Sequence, residues 1–205
     1  MSRKKSFDEQ ATLRNIGQLF WRNGYMATDL DRVCAHVSLS KPSIYNAYGD
    51  KRALFRKVID WYAEEVVASG RACLTQQAPV AEEIAAMLCK VLLAPDKKVV
   101  SRGCLLATTM LELQYSEPEL FRYVQSHFDQ VVDDIQGYMA TAHKMGRLKT
   151  AADPNALGDY VLTLLLGLRM QTRVRGRKVD LQNLIRLAMG PIETSEARRA
   201  KRRTA

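Results

Sequence analysis

The chain has 205 residues, of which 47% are hydrophobic and 26% are charged. This length and composition are typical of one large or two modest soluble globular domains, and they exclude collagen-like and wholly disordered chains. No apolar stretch is long enough to span a bilayer, and the first ten residues lack the apolar core of a secretory signal, so we expect a cytoplasmic protein without a membrane partner.

The formal net charge of +9 is unevenly distributed along the chain. Residues 1–57 contain 11 Lys and Arg against 5 Asp and Glu, residues 58–190 are balanced, and residues 191–205 have a net charge of +3. A compact basic unit followed by a neutral one favours a polyanion-binding head joined to a second module. A solvated basic surface without a partner is the alternative interpretation.

Apolar residues recur at helical spacing along nearly the whole chain, beginning with two N-terminal helices. The first is predicted to open at Ser6, where Ser6 and Glu9 have the spacing of a capping box, and to stop at Gly24. The second is predicted to start at Thr28, with acidic residues in its first turn. Its apolar stripe consists of Leu30, Val33, Cys34 and Val37.

A short third helix follows, with Ser40 placed as its N-cap and Pro42 in its first turn. Gly49 is predicted to end it, and Asp50 to cap a fourth helix that runs towards Leu74. Five more helices are predicted at about 80–93, 102–115, 119–144, 154–173 and 180–189. The fold class is therefore all-α, with about nine helices: a three-helix head over residues 1–57, a helical bundle over 58–190, and a basic, mobile tail over 191–205.

The second and third helices have the arrangement of a helix-turn-helix, at about residues 29–48. Lys41, Ser43, Tyr45 and Asn46 fall outside the predicted core, and all four side chains can donate hydrogen bonds. Asn pairs bidentately with adenine, whereas Lys and Tyr suit guanine edges or phosphates. Short helix pairs with a polar second member also occur in ordinary bundles, so spacing alone leaves both interpretations open.

Residues 7–57 resemble the N-terminal domain of TetR-family transcriptional regulators. The match runs through Ala11, Phe20, Gly24-Tyr25, Thr28 and Val33, then Ser40-Lys41-Pro42-Ser43-Ile44-Tyr45-Asn46-Ala47-Tyr48-Gly49-Asp50-Lys51 and Leu54-Phe55. The resemblance implies that residues 40–47 form the recognition helix, that Tyr45 and Lys51 touch phosphates, and that Thr28 caps the second helix near the DNA backbone. Ser38 departs from the family, which usually has Gly there, so Ser38 is expected to accept a mildly strained backbone.

The resulting set of predicted DNA contacts combines the head with its N-terminal arm. It consists of Thr28, Ser40, Lys41, Pro42, Ser43, Tyr45, Asn46, Tyr48 and Lys51, with Arg3, Lys4 and Lys5 in the arm.

The resemblance also implies that residues 58–190 bind a small ligand and form a homodimer through the last two helices. An apolar band wider than one buried stripe is consistent with burial on two sides, by the core and by a second subunit. It consists of Leu157, Tyr160, Val161, Leu164, Leu165 and Leu168. A central helix in a monomeric bundle is the alternative. We expect the effector cavity within residues 58–173, near polar groups such as those of Tyr115, Tyr123 and His127, but assign no contact residue.

Other features have two interpretations each. Cys104, two residues after Arg102, suits a redox or electrophile sensor or a buried structural thiol. His127 suits a core histidine or a ligand contact, and we interpret it as a core histidine. A basic cluster near the C-terminus suits either an acidic ligand or a solvated helix end. That cluster consists of Arg169, Arg173, Arg175, Arg177 and Lys178.

The four cysteines show no metal-ligand spacing, and no nucleotide, phosphate-loop or nucleophile motif is present, so no metal, cofactor or catalytic residue is expected. The sequence predicts a ligand-responsive regulator, a repressor, that binds palindromic double-stranded operator DNA as a homodimer and is released by an unknown small molecule. The alternatives are a sequence-indifferent DNA-binding protein without effector and a small-molecule-binding or redox-active helical enzyme.

Overall fold

The computed structural model describes residues 7–93, 102–148, 152–175 and 179–192, and these residues form nine helices and no strand. The first three are α1 (Glu9–Asn23), α2 (Leu30–Val37) and α3 (Lys41–Tyr48). Helix α4 has three consecutive segments, α-helical Lys51–Tyr62, π-helical Ala63–Val67 and α-helical Ala68–Arg71. The others are α5 (Val80–Leu92), α6 (Leu105–Leu113), α7 (Pro118–Lys144), α8 (Pro154–Arg175) and α9 (Leu181–Ala188). The all-α prediction is confirmed.

The ends of the first four helices are set mostly by the residues that the sequence indicates. Gly24, with φ of 87°, ends α1 and donates its N–H to the carbonyl of Phe20. Ser40 accepts a hydrogen bond at the start of α3, and Asp50 accepts one at the start of α4. These caps confirm the predicted boundaries, because each satisfies a backbone group that a helix end leaves unpaired.

Two predicted caps are wrong. Helix α1 is capped by Asp8, whose carboxylate accepts hydrogen bonds from two backbone N–H groups, and Ser6 lies outside the described residues. Helix α2 is capped by Asp29 and not by Thr28, because the Thr28 hydroxyl donates instead to the carbonyl of Gly24, 2.8 Å away. In both cases a carboxylate near the expected position is the N-cap.

The described residues divide into two compact units, neither of which is one continuous stretch. The first takes the described residues of Met1–Val66 and of Leu105–Phe128, and the second takes those of Val67–Cys104 and of Asp129–Ala205. Helices α4 and α7 each begin in the first unit and end in the second. The predicted functional boundary at residue 57 stays a prediction, and most of the predicted tail lies outside the described residues.

The first unit is built around α1 and α4, whose contact is closed by aromatic rings. The Phe20 and Phe55 rings meet edge to face with centroids 4.9 Å apart, and the Trp21 and Tyr62 rings do so at 5.0 Å. A Cβ at Gly17 would lie 2.5 Å from the ring of the buried Trp61, so only glycine allows this approach. Such packing holds the helices of the head in a fixed arrangement.

The second unit contains a buried carboxylate, Glu83, as well as an apolar core. Its carboxylate accepts hydrogen bonds from the backbone N–H groups of residues 75–78, from the Thr75 hydroxyl and from the Tyr138 hydroxyl. Burial opposes ionisation, but these donors outweigh it and lower the pKa of Glu83 to about 2. The ionised carboxylate of Glu83 therefore holds the loop between α4 and α5 in place.

The six residues of the apolar band of α8 all pack against the core of their own chain. Leu157, Val161 and Leu168 are buried within the single chain, so their burial needs no second subunit. Tyr160, Leu164 and Leu165 are partly buried against the same core. The large apolar side chains that α8 and α9 leave exposed are Met170, Val174 and Leu187. Among the described helices, none is long and apolar enough to cross a membrane.

Candidate nucleic-acid interface

The turn between α2 and α3 places α3 against the head. Ser38 ends α2 in the left-handed region, with φ of 55°, and the N–H of Leu39 donates to the carbonyl of Cys34, 3.1 Å away. Ile44 and Tyr48 are the buried residues of α3. The strained Ser38 confirms the expectation from the sequence, and the two anchors leave the opposite face of α3 towards solvent.

The exposed face of α3 contains most of the side chains expected to touch DNA. Lys41, Pro42 and Asn46 are exposed, and Tyr45 retains 49% of its accessible surface. Ser43 is half-buried, and its hydroxyl lies 2.8 Å from that of Ser40. The helix thus presents a cation, a phenol and an amide side by side, a combination that suits phosphates and base edges.

Lys41 has a carboxylate partner that the sequence analysis missed. Its Nζ atom lies 2.8 Å from a carboxylate oxygen of Asp31 on α2, and both side chains are exposed. The hydrogen bond to Asp31 raises the pKa of Lys41 above its ordinary value. The pair joins α2 to α3 across the turn, so a phosphate at Lys41 has to compete with Asp31.

Lys51 lies at the start of α4, where its ammonium group sits 4.3 Å from the centroid of the Tyr25 ring. Partial burial lowers the pKa of Lys51 below its ordinary value. The ring thus contacts the ammonium group of this lysine, which is half-buried at the N-terminus of a helix. This position suits the predicted phosphate contact, since helix N-termini also attract anions.

Two predicted contact residues are buried instead. Thr28 has no exposed surface, and Tyr48 is 4% exposed with its hydroxyl donating to the carbonyl of Glu9 at 2.9 Å. Their side chains position α2 and α3 and do not face solvent. Arg3, Lys4 and Lys5 lie outside the described residues.

The head has a second set of contacts that local sequence patterns did not reveal. The Glu112 carboxylate accepts the Met26 N–H at 3.0 Å, and Glu117 lies 2.7 Å from the Arg52 guanidinium. The Tyr25 hydroxyl donates to Glu117 at 3.4 Å. Residues 112–117 therefore hold the turn before α2 and the start of α4. The partners are up to 92 residues apart, so no short motif indicates them.

Of the polar groups expected near an effector, Tyr115 is 91% exposed, which contradicts its place in a cavity wall. His127 is not a core residue either, because its Nε2 lies 3.3 Å from Asp60 at a partly exposed position. Tyr123 donates its hydroxyl to the same carboxylate. Cys104 is half-buried, and its role as a sensor stays a prediction. Within the described part of the chain, no group of three potential metal ligands comes together.

Two family models match most of the chain. Residues 16–58 match "Bacterial regulatory proteins, tetR family", and residues 80–188 match "Tetracyclin repressor-like, C-terminal domain". An uncharacterized HTH-type transcriptional regulator of Bacillus subtilis, YezE, is 25% identical over 94% of this chain and its own full length. The HTH-type transcriptional repressor ComR of Escherichia coli is 22% identical over 91% of this chain and 88% of its own.

Solved structures share the fold. A cysteine-substituted TetR-family regulator CifR, solved with 26-bp operator DNA, superposes with a TM-score of 0.82 at 23% identity, over 94% of this chain and 100% of that one. FadR of Bacillus subtilis in complex with stearoyl-CoA gives 0.70 at 16% identity, over 89% and 96%. The helix-turn-helix geometry and the model that covers residues 80–188 agree with each other: the chain belongs to the TetR family and is a DNA-binding transcriptional regulator.

Proposed function

We propose that this chain is a repressor that binds a partly palindromic operator as a homodimer and is released by a small-molecule effector. The observation that supports this most is the exposed face of α3, where Lys41, Tyr45 and Asn46 lie beside one another on a helix anchored by Ile44 and Tyr48. A twofold dimer presents two such helices about 34–36 Å apart, one turn of B-DNA. Because the proposed target is operator DNA, we also propose a cytoplasmic location and action by binding without turnover.

The proposed contacts divide into those that read bases and those that position the protein. Asn46 is assigned to a base edge, because its amide is exposed and can pair bidentately with adenine. Lys41, Tyr45 and Lys51 are assigned to phosphates or guanine edges, with Ser40, Pro42 and Ser43 at the start of α3 beside them. Arg3, Lys4 and Lys5 are assigned to a phosphate-binding or minor-groove arm. Thr28 and Tyr48 act by supporting the two helices.

We propose that the dimer interface is formed by the last two helices, as the sequence predicts, but through different residues. Met170 and Val174 on α8 and Leu187 on α9 replace the buried leucines, since exposed apolar side chains are the ones a second subunit can cover. Val174→Glu is expected to sediment as a folded monomer with weakened operator binding. Met145→Glu, at an apolar position that is 58% exposed on another surface segment, is the control and should remain dimeric.

The route from effector to DNA follows from the two helices that run through both units. Helices α4 and α7 each begin in the unit that contains the head and end in the other. Residues 112–117 belong to the same first unit as the head, and they contact the turn before α2 and the start of α4. An effector that favours a different spacing of the heads lowers operator affinity by its difference in affinity for the two states. FadR, with its stearoyl-CoA, is a fold relative in complex with a small ligand.

The test is a mobility-shift titration on the native promoter and on random DNA of equal length. Asn46→Ala should relax the preference at particular base pairs, and Lys51→Ala should weaken both DNAs alike and reduce the salt slope by about one. Arg186→Ala, an exposed cation on α9, is the control. If Tyr45→Ala and Lys51→Ala bind like wild type, the interface is misplaced. Equal wild-type affinity for both DNAs would favour the sequence-indifferent binder, and turnover without DNA affinity would favour the enzyme.

A further inference from the structure

Two arginines of the second unit, Arg169 and Arg173, form what we call the arginine cluster. Arg169, on α8, is only 6% exposed, and its Nη1 donates to the carbonyl of Gly103 at 2.7 Å. Arg173, one turn later on the same helix, donates its Nη1 to the carbonyl of Arg102 at 2.5 Å. These two residues of α8 thus hold the backbone carbonyls of Arg102 and Gly103, in the segment that precedes α6.

The charge of this cluster is not balanced by the carboxylates that the structure describes. The hydrogen-bond acceptors of Arg169 are backbone carbonyls, those of Gly103 and of Val91, and neither Arg169 nor Arg173 forms an ion pair with a described acid. The buried acid Glu83 binds the loop before α5, and the partly buried Asp134 pairs with Arg71. The sequence alternative of a solvated helix end therefore fails for Arg169, which is buried.

A buried guanidinium is costly unless an anion accompanies it, and arginine cannot escape by losing its proton. Neutral carbonyls use two of the five N–H groups of Arg169 within the described residues. Positions 169 and 173 lie on the same face of α8, so their planar groups can converge on one ligand. Guanidinium pairs are suited to the two oxygens of a carboxylate or phosphate. The neighbouring Leu92 and Leu168 are core residues, which suits an apolar remainder of the same ligand.

We propose that the arginine cluster binds the carboxylate or phosphate group of the effector, so that the effector is an anionic small molecule with an apolar part. This rests on the proposed function for its regulatory meaning and on the buried charge of Arg169 for its chemistry. Within the basic cluster near the C-terminus, it assigns Arg169 and Arg173 to ligand recognition. Arg173, the more accessible of the two, is the residue that an anion contacts first.

The experiment is calorimetric titration of the full chain, without DNA and at constant ionic strength, with octanoate, inorganic phosphate and neutral octanol. Wild type is expected to bind octanoate or phosphate saturably, and Arg173→Gln to lose about tenfold in affinity, as for one lost charge-assisted contact. Arg175→Gln is the matched control, because it removes an equal charge from the same helix at an exposed side chain bonded to Gln171. Anion binding by the basic head is the same in both variants.

The outcomes distinguish a carboxylate ligand from a phosphate ligand. They also distinguish anion binding at the cluster from an effect of that binding on operator affinity. Binding of octanoate alone selects a carboxylate, and binding of phosphate alone selects a phosphate ester. No saturable anion binding, equal losses in both variants, or equal binding of octanol and octanoate would overturn the proposal. Anion binding through Arg173 that leaves operator affinity unchanged would overturn its effector role. If the chain shows no preference for its promoter over random DNA, the proposed function fails. The calorimetric titration still shows in that case whether the arginine cluster binds an anion.

Discussion

The carboxylate of Glu112 accepts a hydrogen bond from the backbone N–H of Met26, 3.0 Å away and 86 residues earlier in the chain. The same carboxylate lies beside Gly24, where an added Cβ would come within 2.2 Å of Oε1. One side chain of α6 thus satisfies the backbone and fills the space at the turn that leads into α2. The orientation of the helix-turn-helix depends on a residue that lies outside the N-terminal fifty.

Replacing Glu112 by Ala should lower the free energy of unfolding by about 1–2 kcal/mol, because the Met26 N–H loses an ionised acceptor. Operator affinity should also fall, since the turn before α2 is freed. Chemical denaturation and a mobility-shift titration measure the two effects. Glu119→Ala is the control, because Glu119 is 67% exposed and its carboxylate lies 3.5 Å from Arg52. Equal effects of the two substitutions would contradict the role given to Glu112.

Gly24→Ala should destabilise the chain by about 1–3 kcal/mol, for two separable reasons. Its φ of 87° disfavours any L side chain, and the new methyl group meets the Glu112 carboxylate. In a Glu112→Ala background only the conformational cost should remain, so the double variant should be more stable than the sum of the two single losses predicts. Strict additivity in a denaturation cycle would mean that the carboxylate moves aside without cost.

Ser38→Gly should stabilise the chain by up to about 1 kcal/mol, because Ser38 has a φ of 55° that glycine adopts without strain. Ser38→Ala keeps the Cβ and should give no gain. Thermal unfolding of both variants measures the difference. A stability of Ser38→Gly below that of wild type would show that the serine hydroxyl contributes more than the strained backbone costs.

The buried Glu83 predicts a loss of stability in acid. Its pKa of about 2 lies below the value of about 4.5 expected in the unfolded chain, so the unfolded state takes up the proton first. The stabilisation is complete above the unfolded pKa and declines as the pH falls from about 5 towards 2. Glu83→Gln should lose about 3 kcal/mol at neutral pH and show a flatter pH dependence of unfolding. Glu82→Gln, an exposed neighbour, should behave like wild type.

Asp31→Asn should increase DNA affinity at low salt. The change removes a carboxylate from the proposed DNA face and releases Lys41 from the ion pair with it, so one more cation is available to phosphates. The slope of log affinity against log salt should steepen. Glu64→Gln alters the net charge equally at an exposed position on α4 and should have a smaller effect. Matching gains in the two variants would assign the effect to net charge alone.

Features set by neighbouring residues were predictable from the sequence, and features set by distant packing were not. Ser40 and Asp50 cap helices because their side chains reach backbone groups three residues away. The assignment of Thr28 as a helix cap was wrong, because its hydroxyl donates a hydrogen bond to the Gly24 carbonyl instead. The wide apolar band of α8 could not be divided between core and surface, because periodicity does not say which side meets another helix. No local sequence pattern around Glu112 indicates its contact with Met26, which lies 86 residues earlier.

The division of the chain into two discontinuous units has a consequence for biosynthesis. A ribosome completes α1, α2 and α3 well before it reaches residues 105–128, which belong to the same compact unit. During that interval the Met26 N–H lacks its acceptor, and Arg52 lacks Glu117. The nascent head is therefore less stable than the finished one until translation has passed α6 and the start of α7. A fragment of only the first 66 residues would lack these contacts permanently, so its head would keep the lower stability.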